Sequence, residues 1–215
     1  MENYSHQCGK ISWAEEYSCL LTEIPKSLRS KMKKSVIITG PSVSGKTTLF
    51  RCLVAFFDLK PSPTHTTRNV RDGEIDGADN IFLSVEEFKD NFLKSCYIQD
   101  SMESSYFGGA YYGCPRSWIS EIKKGDINCF VSPTVKIAKK LKEVLGNRII
   151  WIHMTANKQI REERLSRRNP EMSKSELDLR IDKGGLPVDI DGHDLLIDSS
   201  YLSAKDIFLK AIDNF

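Results

Sequence analysis

The stretch Gly40-Pro-Ser42-Val43-Ser44-Gly45-Lys46-Thr47 constrains this chain more than any other. It has the spacing G-x-x-x-x-G-K-[ST] between a short β-branched run, Ser35-Val-Ile-Ile-Thr39, and a segment, Lys46 to Phe57, whose apolar residues recur every three or four positions. Such a strand, loop and helix form a phosphate-binding loop. The glycines let successive backbone N–H groups turn inward, and the helix N-terminus adds its positive end. Lys46 is placed to neutralise β- and γ-phosphate oxygens, and Thr47 to hold Mg²⁺. The expected ligand is a nucleoside triphosphate, cradled by Gly40, Ser42, Val43, Ser44, Gly45, Lys46, Thr47 and Thr48.

The rest of the chain alternates in the same way. Apolar runs at 128–131, 148–154 and 193–198 predict further strands, and helical patterns fall at 115–124, 135–145, 158–167 and 203–214. Strands alternating with helices predict a parallel sheet covered on both faces. Residues 64–114 break the rhythm with Gly, Tyr and Ser, and predict a subdomain over the carboxyl edge of the sheet, where such folds bind ligands. Residues 1 to about 33 read as an appendage, with an amphipathic helix beginning near Trp13 that can dock on the main body, and a basic run at 26–34 that reads as a solvated face.

Composition removes other classes. The 31 basic and 29 acidic residues leave a net charge of +2, too slight to predict a nucleic-acid or membrane partner. No apolar stretch approaches the ~20 residues that span a bilayer. The six cysteines show no metal-ligand or disulfide spacing, and with no signal-peptide pattern they predict a cytoplasmic protein with reduced thiols.

A second pattern lies at Thr66-Thr67-Arg68-Asn-Val-Arg71-Asp-Gly73-Glu74-Ile-Asp-Gly77-Ala-Asp79. It resembles the T-T-R-x-x-R-x-G-E-x-x-G-x-D stretch of guanylate kinases. Ser84-Val-Glu-Glu-Phe88, Gly109-Ala-Tyr111-Tyr112-Gly113, Arg164-Leu-Ser-Arg167-Arg168 and Ile197-Asp-Ser-Ser-Tyr-Leu202 are similar to further motifs of that family, and the likeness spans about 35–213. It implies an α/β, P-loop NTPase-type parallel sheet with helices on both faces. It also implies a subdomain at 64–114 that binds a nucleoside monophosphate, and an arginine-rich lid at 158–186. ATP and Mg²⁺ would be the donor and cofactor, and GMP or dGMP the acceptor. Lys46, Arg168 and Arg180 would act on the transferred phosphoryl group, with Arg164 on the nucleotide. Thr64, Arg68, Arg71, Gln99, Asp100, Tyr112 and Cys114 fall at or near acceptor positions. Physically, two arginines three residues apart can share one phosphate, since guanidinium groups donate in pairs and stay charged.

The departures lie where the family reads guanine. Gln99, Cys114 and Val131 stand where a carboxylate, a hydroxyl and an aspartate are expected, and Asn80 replaces a phosphate-binding tyrosine. An amide offers one acceptor where guanine presents two adjacent donors; a one-residue slip brings Asp100 into the first role. Two alternatives to a GMP kinase follow: a kinase for another phosphorylated acceptor, such as ribose 1,5-bisphosphate, and a non-catalytic binding module. Retention of Lys46 and the loop glycines weighs against the module. His65 reads as a surface residue, His153 and the tryptophans Trp118 and Trp151 as packed ones, and Cys114 as a small residue lining a pocket.

Overall fold

The computed structural model describes residues 12–99, 101–107, 109–132, 134–183 and 189–215. Asp100, weighed above, and residues 184–186 of the expected lid lie outside them. The chain runs α1 (Ser12–Leu20), β1 (Ser35–Thr39), α2 (Lys46–Phe57), β2 (Lys60–Pro61), β3 (Thr64–Thr66), β4 (Asn80–Phe82), α3 (Val85–Leu93), α4 (Met102–Ser105), β5 (Tyr106–Phe107) and β6 (Ala110–Gly113). It continues through α5 (Ser117–Lys124), β7 (Asn128–Val131), α6 (Val135–Leu145), β8 (Ile149–Thr155), α7 (Lys158–Arg168), α8 (Lys174–Lys183), β9 (Leu195–Asp198) and α9 (Ala204–Ile212).

The main sheet has the order β2-β7-β1-β8-β9 with every pairing parallel. β1 is buried along its whole length at the centre, because a strand covered on both faces has no use for polar alternation. Its side chains divide by the period of two. Val36 and Ile38 face a core with Leu49, Leu53 and Phe208 from α2 and α9, while Ile37 faces Trp118, Ile122, Ala138 and Leu141 from α5 and α6. β8 repeats the division, with Ile150, Ile152 and Met154 on the first side and Ile149 and Trp151 on the second. Trp118 and Trp151 are core residues, as expected. The parallel order puts the carboxyl ends of β1, β7, β8 and β9 along one edge, where the phosphate loop leaves β1.

A second sheet, of order β4-β3-β6-β5, is built from residues 64–113. α3 starts on a capping box, with Ser84 Oγ accepting from the Glu87 N–H and the Glu87 carboxylate accepting from the Ser84 N–H. It presents Phe88 to Tyr97 and Tyr111, both rings stacked at 4.7 and 5.4 Å. Gly113 lies under the Tyr97 ring so closely that a Cβ there would sit 2.5 Å from it.

The segment before β1 docks on the main body through a few apolar side chains. Trp13, Leu21, Ile24 and Met32 are buried in the same core as α2 and α9. Among the described residues no helix is long and apolar enough to cross a membrane.

Candidate functional site

β1 ends at Thr39 and the chain turns at Gly40, whose φ of +144° and lack of a side chain are both required. A Cβ there would meet the Met154 carbonyl oxygen of β8 at 2.2 Å. Val43 takes a left-handed φ of 55°, and Gly45, at φ 89°, occupies the position before α2 without any side-chain cap on the helix. The first-turn N–H groups of α2 are therefore uncapped by protein side chains. Ser44 Oγ is buried with no hydrogen-bond partner. Uncapped donors and an orphaned hydroxyl around a curled backbone suit the oxygens of a polyphosphate.

The loop is braced from outside. Ser199, just beyond β9, donates its Oγ–H to the Ser44 carbonyl at 2.8 Å. The Arg164 guanidinium of α7 donates to Ser199 Oγ at 3.0 Å, to the Ser199 carbonyl at 2.7 Å and to the Val43 carbonyl at 3.3 Å. Arg164 thus holds the loop's backbone rather than standing free as a lid residue.

Lys46, at the head of α2, folds its Nζ back to donate to the Pro41 carbonyl at 2.6 Å. Burial in the loop, followed by the fields of Arg71, Arg161 and Arg168, pulls its ammonium down to about 7. Those three arginines come from two other parts of the chain, the small sheet's first connection and α7. Arg161 is the residue that sequence reasoning missed. It is 5% exposed, its Nε has no partner, and one Nη reaches the Ile181 carbonyl only at 3.4 Å. A signal for it existed: 161, 164 and 168 are i, i+3 and i+7 on one helix, so the three arginines share a face. Arg168, at the end of that face, is exposed, as is Arg167 off it, and Arg180 on α8 is exposed with no hydrogen bond or ion pair among the described residues.

In the small sheet, Arg68 is not free. Its two Nη atoms donate to the two Glu74 oxygens, each at 2.7 Å, and the guanidinium lies over the Phe82 ring at 5.3 Å. The Glu74 carboxylate also accepts from the Arg71 N–H at 3.0 Å, which fixes the turn that carries Arg71. The Arg71 side chain shares its surroundings with Arg68, Arg168 and Tyr112. Arg71 is therefore the donor of this sheet brought toward Lys46, with Tyr112 beside it.

Three positions expected on the acceptor side are employed otherwise. Gln99 donates its Nε2 to the Tyr112 carbonyl at 2.8 Å and accepts the Cys114 N–H at 3.0 Å, so both ends of its amide pin the main chain of β6 and its exit. Cys114 is fully buried, and burial pushes its thiol up to about 12 despite nearby Ser132, Thr64 and Gln99. Thr64 is buried and donates its hydroxyl to the Val131 carbonyl at 2.9 Å. His65, expected on the surface, is instead half-buried with Nδ1 3.0 Å from the Tyr97 hydroxyl.

At the end of β7 stand Val131 and Ser132, and the Ser132 hydroxyl donates to the Thr134 carbonyl at 2.8 Å. No group of three or more His, Cys, Asp or Glu side chains able to hold a metal occurs among the described residues. Thr47, exposed at the head of α2, remains as a hydroxyl ligand. Beside the loop, Trp151 Nε1 donates to Thr39 Oγ1 at 2.7 Å, and Thr39 Oγ1 lies 2.8 Å from His153 Nδ1. The indole can only donate, so the threonine oxygen accepts from it, and the direction of its bond to His153 follows the imidazole tautomer. Burial, then His193 and Lys46, hold His153 down near 4, as a packed neutral residue.

These features agree with what known proteins show. The family model described as "Guanylate kinase" matches residues 32–202. A guanylate kinase from Prochlorococcus marinus is 33% identical over 159 residues, covering 73% of this chain and 83% of its own. One from Clostridium perfringens is 29% identical over 157 residues, covering 73% and 69%. Among solved structures, a guanylate kinase from Anaplasma phagocytophilum superposes with a TM-score of 0.59 at 20% identity, over 84% of this chain and 82% of that one. The matched residues take in the phosphate loop, the Arg68 to Asp79 turn and the arginine face of α7, and the chain belongs to the guanylate kinase family of phosphotransferases.

Proposed function

We propose that this chain transfers the γ-phosphoryl group of ATP to GMP or dGMP. The feature that carries this reading is the convergence on the loop lysine, Lys46, of the fields of Arg71, Arg161 and Arg168, cations from two other segments. Cations crowd together at a cost, and two polyanions brought end to end remove it. The loop from Gly40 to Thr48 would take the donor phosphates, with Arg164 keeping the loop in shape. Arg71 and Tyr112 would take the acceptor phosphate, with Arg68 and Glu74 bracing the turn. Lys46 and Arg168, joined by Arg180, would stabilise charge on the migrating group, since such transfer needs positioning and neutralisation more than a covalent nucleophile.

Thr47 would hold Mg²⁺ together with phosphate oxygens of the nucleotide, and the ion would supply further neutralisation of the β- and γ-oxygens.

A second reading, an acceptor other than a guanine nucleotide, is favoured by one observation: the amide of Gln99 is committed to Tyr112 and Cys114. Chromatographic identification of products after incubation with ATP, Mg²⁺ and single acceptors separates the two. GDP from GMP supports the first reading. Phosphorylation of ribose 1,5-bisphosphate, with GMP untouched, supports the second.

A further inference from the structure

The helix α1 precedes the segment that matches the family, yet it is tied into the site through one carboxylate. Asp79, whose side chain is 3% exposed, lies in the connection that carries Arg71 and Glu74. Its Oδ2 accepts from Trp13 Nε1 at 3.1 Å and from the Ile75 N–H at 3.0 Å. Its Oδ1 accepts from Arg51 Nε at 3.1 Å and Nη2 at 2.9 Å, and Arg51 Nη2 also donates to the Gly73 carbonyl at 2.7 Å.

Arg51 stands one helical turn beyond Thr47 on α2, so this ion pair links the helix that begins at the phosphate loop to the turn that presents Arg71. Trp13 closes the junction. Its ring lies against Phe50, with centroids 6.0 Å apart, and carries the Arg51 guanidinium over its face at 5.2 Å. Trp13 is 4% exposed and the Asp79 side chain 3%, so the bond between them is dry. A charge-assisted bond kept dry is stronger and more directional than the same bond in solvent.

We infer that Trp13 is a positioning residue for the acceptor site: through Asp79 and Arg51, α1 sets where Arg71 stands relative to the phosphate loop. This rests on the phosphoryl-transfer reading above for its consequence in catalysis. The tether itself does not depend on that reading.

Two variants of the full chain test it. Trp13→Phe keeps a ring against Phe50 and Arg51 but removes the N–H, and Trp13→Ala removes both. Hydrogen exchange followed by mass spectrometry reads the tether directly. Peptides covering 72–82 are expected to exchange faster in both variants, with those of β1 and β8 unchanged. Steady-state kinetics with GMP should show KM for the acceptor raised about three- to tenfold in Trp13→Phe, the size of one buried hydrogen bond, with KM for ATP within about twofold. Unchanged exchange at 72–82 in both variants would overturn the inference. So would faster exchange spread evenly over the main sheet, or equal rises in the two KM values. Should the wild type phosphorylate no acceptor, the functional reading fails, and the exchange data alone decide whether the tether exists.

Discussion

Lys46 Nζ donates to the carbonyl oxygen of Pro41, 2.6 Å away within its own loop. Its ammonium, pulled down to about 7 by burial and by Arg71, Arg161 and Arg168, thus rests on a backbone dipole in place of an anion. Polyphosphate in the loop supplies the missing charge and restores an ordinary lysine. At pH 8, above the depressed value, ligand-free Lys46 is mostly neutral, so ATP binding takes up about one proton and affinity falls as pH rises from about 7 to 9. Calorimetry in buffers of differing ionisation enthalpy measures the uptake, and Lys46→Ala should abolish it. In the ligand-free protein the same group makes stability rise with pH between about 7 and its ordinary value of 10.5, because the unfolded chain binds the extra proton across that window.

Arg161 should show opposite effects on the free and bound protein. A buried guanidinium with an unpartnered Nε costs the ligand-free fold, so Arg161→Leu is expected to stabilise it by about 1–3 kcal/mol. The same change should weaken ATP binding by about tenfold, through loss of one of the cations around Lys46. Thermal unfolding with and without ATP measures both. A variant less stable in both states would show that Arg161 is a packing residue.

Gln99→Glu discriminates between a reader of guanine and a structural amide. A guanine reader would gain GMP affinity from the carboxylate. With the amide pinned as it is, the new oxygen faces the Tyr112 carbonyl, and a loss of about 1–3 kcal/mol in urea unfolding is expected with no gain for GMP.

Gly113→Ala should destabilise by at least about 1–3 kcal/mol, because its Cβ would lie 2.5 Å from the Tyr97 ring, which is itself stacked on Phe88. Denaturant unfolding checks it, and a neutral result would mean that Tyr97 moves freely.

Much of this was legible in the sequence where the physics is local. β1, β7, α2 and α6 fall at the residues expected, since a short buried run or a three-and-four periodicity is set by neighbours in the chain. The phosphate loop is legible for the same reason. α8 was not read as a helix: in Lys174–Lys183 charges surround the axis, and Ile181 is its one buried residue with a described side chain. β2 is a two-residue edge strand that carries no period at all. At the site, the employment of Gln99 was hidden because its partners are main-chain atoms of a strand 13 and 15 residues away. The tie between α1 and the small sheet was hidden because Trp13 finds Asp79 across 66 residues.

The most direct test of the central claim is the initial rate of ADP formation from ATP and Mg²⁺ with GMP, for the wild type and for Lys46→Ala. The account predicts acceptor-dependent turnover in the wild type and a loss of about 10³-fold in the variant, the scale of removing a preorganised charge from a phosphoryl-transfer site. Equal rates in the two proteins, or no turnover of any phosphorylated acceptor by the wild type, would contradict it.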